Sequence, residues 1–353
     1  MKVFINFTAL VGIFLLLSCS SIDRNSGEGT VTKPSNLLIS AAIVGGNAQN
    51  PNGNGSGTVN FSISATNATS YKILLGNGET KELTNGNFTY TYTTSGTNTY
   101  VIYVSAYNSG QFVSSTLSLT VFVGSSLVWS DEFNVDGAPD SAKWGYDLGS
   151  GGWGNNESQY YTNRPENVIV QDGLLKIKTL KESFSGSNYT SARILTKDKF
   201  SFKYGRVEIK AKLPAGGGGT WPALWMLGSN ISSAGWPACG EIDIMEHVGN
   251  SLNKVHGSLH SPGRSGNTPG TSTVMVPDAT TEFHIYAVDW SATSIKFYVD
   301  NQLFYTFTNT ASFPFNQDFF LIINCAMGGN FGGTINPGFT SSTFEIDYVR
   351  VYN

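Results

Sequence analysis

The stretch Gly240-Glu241-Ile242-Asp243-Ile244-Met245-Glu246 sets three carboxylates within six residues, interleaved with apolar side chains. Alternation of acidic and apolar residues is a strand pattern, because successive side chains leave a strand on opposite faces. Glu241 and Asp243 then share one face, and Ile242 and Ile244 share the other, toward a core. Strict alternation would next carry Glu246 into that core, where an unpaired carboxylate is costly. One extra residue, a β-bulge, returns Glu246 to the acidic face. The sequence therefore predicts a strand with a bulge near Met245 and three acids on one side.

With the bulge counted out, Glu241 and Glu246 stand four strand steps apart, roughly 13 Å along the backbone. Side chains leaning together on a curved sheet close most of that gap. Carboxylates about 5–5.5 Å apart suit a retaining glycosidase, one as nucleophile and the other as acid and then base. The spacing leaves an inverting pair open. Crowded acids resist ionising together, so one of them keeps its proton. The competing reading is a solvated charged face, the usual fate of such a cluster. Acids with no basic residue among them repel, however, and stability alone does not favour that.

The rest of the chain fits an exported all-β protein. Only 13% of its 353 residues are charged, while it holds 40 glycines and 13% aromatic residues; such a composition favours strands and turns. A formal net charge of −4 gives no nucleic-acid surface. Residues 1–19 read as a targeting segment: Lys2 precedes an apolar run, Ala9 to Leu17, too short to span a bilayer. The end of that segment, Leu16-Leu17-Ser18-Cys19, resembles a bacterial lipoprotein signal. It implies that Cys19 is lipidated and anchors the exported protein to a bacterial cell membrane, outer membrane or cell surface; ordinary secretion is the alternative. Residues 20–35 read as a flexible tether. Cys239 and Cys325 are expected to be free, buried thiols.

Residues 36–123 show short strands at regular spacing: Val59 to Ile63, Tyr71 to Leu75, Phe88 to Tyr92, Tyr100 to Ala106 and Leu117 to Phe122. Turn signals separate them, among them Asn77-Gly78, Asn85-Gly86 and Asn108-Ser109-Gly110. This predicts a small immunoglobulin-like β-sandwich. Its middle resembles PKD-like domains of secreted bacterial enzymes, without the usual acidic residues at the glycine turn. A spacer role is expected, with sugar binding by exposed tyrosines as the minority alternative.

Residues 127–353 are again strand-rich. Val207, Ile209, Ala211 and Leu213 alternate with Arg206, Glu208, Lys210 and Lys212, and Asp172-Gly173 and Asp300-Asn301 mark hairpins. The pattern predicts two large packed antiparallel sheets, a concanavalin-like β-jelly-roll sandwich. The ordered motifs Trp129-Ser130-Asp131-Glu132-Phe133, Gly152 to Thr162, Thr190 to Ile194, Thr220 to Leu227, the acidic strand, Gly257 to His260 and Phe283 to Trp290 together resemble glycoside hydrolase family 16, laminarinase-like. The resemblance covers the chain from Leu127 onward.

That resemblance implies roles. Glu241 matches the nucleophile, Glu246 the acid/base, and Asp243 the acid between them that hydrogen-bonds the nucleophile. Trp221, Trp225 and Trp236 match aromatic residues lining a β-glucan cleft, with Trp225 expected to be partly core. Asn155, Arg193 and His260 match polar groups around the sugar. No cofactor is implied for catalysis. A structural calcium is implied at Glu132, the Gly173 carbonyl and Asp347, since hard oxygen donors suit that ion. A zinc reading of His247, His256 and His260 fails on order and on the strand pattern. A monomer is expected. The implied activity is endo-hydrolysis of β-1,3-glucan of laminarin type, with mixed-linkage β-1,3-1,4-glucan or non-catalytic glucan binding as alternatives; binding relatives lack the glutamate pair. One departure is Phe331, where relatives commonly carry tryptophan.

Overall fold

The computed structural model describes residues 31–353 apart from residues 216 and 268. Cys19, the targeting segment and most of the tether lie outside the described residues. Two compact units divide the chain near residue 122. Among the described residues, no helix is long and apolar enough to cross a membrane.

The smaller unit contains two sheets. One has the order Ser35–Ile43, Thr58–Thr66, Asn87–Thr91; the other runs Thr80–Leu83, Ser70–Leu74, Gly96–Asn108, Gln111–Val123. Alternate side chains from both are buried, including Val59, Phe61, Ile63, Ile73, Ile102 and Val104. Tyr92 stacks on Tyr100 with centroids 3.9 Å apart, and its buried hydroxyl donates to the Leu75 carbonyl at 3.0 Å. Every strand expected here is present. Ser35–Ile43 and Thr80–Leu83 add to them; both are edge strands, paired on one side only, and so carry weaker alternation.

The larger unit also contains two sheets. Ten strands make one: Gln159–Tyr161, Ser187–Ser191, Leu174–Phe184, Ser341–Tyr352, Gly205–Lys212, His284–Trp290, Ser294–Val299 and Gln302–Thr308 in spatial order, with Val168–Gln171 on Leu174–Phe184 and Leu127–Asp131 on Ser341–Tyr352. The pairing of Gln159–Tyr161 with Ser187–Ser191 is parallel, which corrects the expectation of a wholly antiparallel sandwich. Parallel neighbours need a long crossover, and the intervening residues supply it while adding strands of their own. Seven strands make the second sheet: Gly270–Met275, Lys254–His260, Glu241–His247, Thr220–Gly228, Phe319–Met327, Arg193–Leu195 and Gly145–Asp147.

One core unites the two sheets. Val207, Ile209 and Phe344 from the first meet Leu224, Met226, Ile242 and Ile323 from the second, all fully buried. Each such side chain contributes about 1.5–3 kcal/mol by leaving water. Phe319–Met327 is buried along its whole length: Phe319, Leu321, Ile323 and Cys325 join the core, while Phe320 and Ile322 join a second cluster with Leu195, Leu227 and Cys239. Cys239 and Cys325 are buried free thiols, as expected.

Candidate active site

The acidic strand carries the predicted bulge. Leu224 pairs with Met245 and the next residue, Trp225, pairs with Asp243, which leaves Ile244 without a partner. On the other side Asp243 pairs with Ser258 and Glu246 with His256, again one residue too many. Ile244 and Met245 both turn into the core, 1% and 0% exposed. The apolar demand of two consecutive side chains thus forces the bulge, and the bulge brings Glu246 back beside Glu241 and Asp243. Before the strand, Gly240 sits at φ 77°, and a Cβ there would lie about 3.0–3.1 Å from Phe319 and Pro314. The entry to the strand therefore favours glycine.

Cross-strand register assembles the face in rows. Glu241 lies opposite His260, Asp243 lies between Ser258 and Trp225, and Glu246 lies between His256 and Ala223. Asn324 continues the last row, followed by Arg193 and Asp147. Each outer carboxylate takes an indole N–H. Trp236 donates to Oε2 of Glu241 at 2.9 Å, and Trp221 donates to Oε1 of Glu246 at 3.0 Å. Ser258 Oγ lies 3.4 Å from Oε2 of Glu246. His260 Nε2 stands 3.3 Å from Oδ2 of Asp243 and 3.6 Å from Oε1 of Glu241.

Electrostatics follow from this burial. Burial pushes the Glu241 carboxyl up to about 8, with the neighbouring Asp243 charge as the next cause. Burial, and then the Glu246 charge, hold Asp243 well above the usual carboxylate range, while its hydrogen bond with Glu241 acts in the other direction. Burial also raises Glu246, against the opposing N–H of Trp221. Each of the three acids therefore holds its proton to higher pH than an ordinary carboxyl, and their titrations depend on one another. The hydrogen bond between Asp243 and Glu241 lowers the Asp243 pKa, so the ionisation of each depends on the other. Both oxygens of Glu246 face a donor, Oε1 the Trp221 indole and Oε2 the Ser258 hydroxyl.

The remaining expected residues gather on the same face. Trp236 is 48% exposed, and Trp221 is partly buried with its ring edge-on to Phe331 at 5.4 Å. Trp225 is half-buried against the small apolar cluster of Leu227, Phe320 and Ile322. Arg193 pairs with Asp147 at 2.9 Å and lies between the rings of Trp153 and Trp225, 5.1 and 4.7 Å from their centroids. Asn155 donates to Glu157 Oε1 at 3.4 Å, and its carbonyl accepts from the Asn330 N–H.

Four further residues belong to the site that pattern reading did not single out: Ser258, Glu157, Tyr161 and Asn324. Glu157 and Tyr161 sit inside a motif that was noticed, but their roles depend on a strand more than 160 residues away.

Two cation arrangements arise. Glu241, Asp243 and His260 place ligand atoms within 4.8 Å of one another. His247, by contrast, is 0% exposed, and its Nε2 accepts the Asn253 N–H at 3.1 Å. At the expected calcium position, both oxygens of Glu132 accept from Arg350, at 2.9 and 2.8 Å, and Asp347 pairs with Lys210 at 2.7 Å. Gly173 lies in the adjacent hairpin turn at φ 74°.

The model of glycosyl hydrolases family 16 matches residues 155–350. A beta-glucanase of Rhodothermus marinus is 47% identical over 243 residues, which cover 64% of this chain and 84% of that protein. The glucan endo-1,3-beta-glucosidase A1 of Niallia circulans is 42% identical over 260 residues, covering 65% of this chain and 38% of that longer protein. The X-ray structure of the laminarinase from Rhodothermus marinus superposes with a TM-score of 0.62 at 46% identity, covering 65% of this chain and 97% of that one.

Proposed function

Because this chain belongs to glycosyl hydrolases family 16, we propose that it is an endo-β-1,3-glucanase that cleaves laminarin-type glucans by double displacement. The observation that carries the reading is the bulge, which sets Glu241, Asp243 and Glu246 on one face with an indole N–H on each outer acid. In the first step, Glu241 attacks the anomeric carbon while Glu246 protonates the departing glycosidic oxygen. The glycosyl ester then forms on Glu241, and Glu246 is left ionised. In the second step, Glu246 takes a proton from an incoming water, which attacks the same carbon and releases Glu241. Two displacements restore the β configuration. Asp243 hydrogen-bonds Glu241 and helps set its charge state.

Product analysis on laminarin, lichenan and agarose tests the substrate. Laminarin should yield short β-1,3-linked oligosaccharides fastest; faster release from lichenan would make the enzyme a mixed-linkage glucanase, and no release from either would remove the reading.

Three further assignments belong to the proposal. The amino-terminal sandwich is an immunoglobulin-like, PKD-like spacer, and the chain is held to a bacterial membrane through Cys19. A structural calcium is assigned to Glu132, the Gly173 carbonyl and Asp347. Binding it would displace Arg350 from Glu132 and Lys210 from Asp347. A higher melting temperature in calcium than in a chelator supports the ion; equal midpoints remove it.

A further inference from the structure

Glu157 is an acid on the site face that the two-step reaction does not use, and three donors converge on it. Oε2 accepts from Gln159 Nε2 at 2.6 Å and from the Tyr161 hydroxyl at 3.2 Å, while Oε1 accepts from Asn155 Nδ2 at 3.4 Å. Gln159 is itself fixed, because its Oε1 accepts the Met327 N–H at 2.8 Å. Its amide therefore faces Glu157 with NH2.

Donor direction continues outward from Oε2. Tyr161 spends its proton on Glu157, so its oxygen is left to accept from Asn324 Nδ2 at 3.0 Å. That fixes Asn324 with Oδ1 outward, where it accepts from Trp225 Nε1 at 2.7 Å. Tyr161 is 0% exposed and Asn324 6%. Neither has water with which to choose another orientation.

We propose that Glu157 is a positioning residue that orients two separate sugar-contacting groups from one partly buried carboxylate: Asn155 from Oε1, and Trp225 from Oε2 by way of Tyr161 and Asn324. This rests on the assignment of Asn155 and Trp225 as glucan contacts. The loop opposite agrees with a fixed Asn155. Gly329 stands at φ 75°, where a Cβ would meet the Asn155 carbonyl at 2.6 Å, and the Asn330 N–H donates to that same carbonyl at 2.7 Å.

The two branches break separately. In Glu157→Gln, one carboxylate oxygen becomes an NH2. Placed at Oε2 it would face two donors, and placed at Oε1 it faces one. The amide therefore turns its NH2 toward Asn155 and releases that branch, while Tyr161 keeps its acceptor. Tyr161→Phe does the reverse: it cuts the Trp225 branch and leaves Asn155 in place.

Steady-state kinetics on laminari-oligosaccharides test this, with thermal melts to confirm folding. Each single variant should raise KM about tenfold, the order expected for one lost hydrogen bond, with kcat within about twofold. Glu157→Gln combined with Asn155→Ala should do no more than Asn155→Ala alone, whereas Glu157→Gln combined with Tyr161→Phe should multiply. A fall in kcat at unchanged KM, or full multiplication of Glu157→Gln with Asn155→Ala, overturns the proposal. Should Glu157→Gln fail to fold, Tyr161→Phe decides through Trp225: an unchanged KM overturns the relay. Inactivity of the unaltered enzyme on every β-1,3-glucan would instead count against the function itself.

Discussion

Trp236 reaches across the mouth of the site to Glu241: its indole N–H lies 2.9 Å from Oε2 although nearly half of the residue is open to solvent. The contact favours the ionised carboxylate and lowers the Glu241 pKa against the stronger upward push of burial. Trp236→Phe keeps a flat ring and removes the N–H. The acid limb of kcat/KM against pH should then move upward by about half a unit to one unit, with folding unaffected. An acid limb that stays in place would show that the indole does not tune the nucleophile.

The carboxylate cluster weakens the fold as pH rises. Glu241 is held up to about 8 in the folded protein against 4.5 as its ordinary value, and Asp243 and Glu246 are also raised. The folded state thus binds these protons more tightly than the unfolded chain. The Glu241 contribution is fully present below the ordinary carboxylate range and is lost as pH climbs through about 8. Glu241→Gln should abolish turnover. It should also melt a few degrees above the unaltered protein at about pH 9 and hardly differently at about pH 5. The same difference at both pH values would place the stabilisation elsewhere.

His247 works in the opposite direction. Burial pushes it down to about 4 from 6.5, so stability present above 6.5 is lost as pH falls toward 4. His247→Gln keeps an acceptor for the Asn253 N–H and cannot gain the proton. Urea unfolding across this range should show a flatter loss of stability in the variant, by the equivalent of about one proton. An unchanged slope would assign acid sensitivity to other groups.

The membrane assignment depends on Cys19. Detergent-phase partitioning should send the unaltered protein to the detergent and Cys19→Ala to the aqueous phase. Recovery of the unaltered protein in the aqueous phase, with an unmodified amino terminus by mass spectrometry, would mean ordinary secretion.

Local periodicity made much of this molecule legible. The alternation of Glu241 to Glu246 foretold both the strand and its bulge, because a misplaced charge and two apolar side chains leave only one economical register. The Asp172-Gly173 and Asp300-Asn301 turns adopt the left-handed backbone that their hairpins need. The relay from Glu157 to Trp225 was not legible. Tyr161 reads like any core tyrosine and Asn324 like any strand asparagine, until the register of Phe319–Met327 lays one beside the other. The raised Glu241 was not legible either: alternation puts three acids on one face, but the depth of burial that raises Glu241 comes from the packed sheets.

The central claim is that Glu241 and Glu246 act in succession on one face of the sugar, and the anomer released first tests it most directly. Proton NMR during the first minutes of laminarin hydrolysis should show new reducing ends in the β form, with the α form growing only by mutarotation. If the α anomer appears first, the two glutamates work as an inverting pair and the double displacement is wrong.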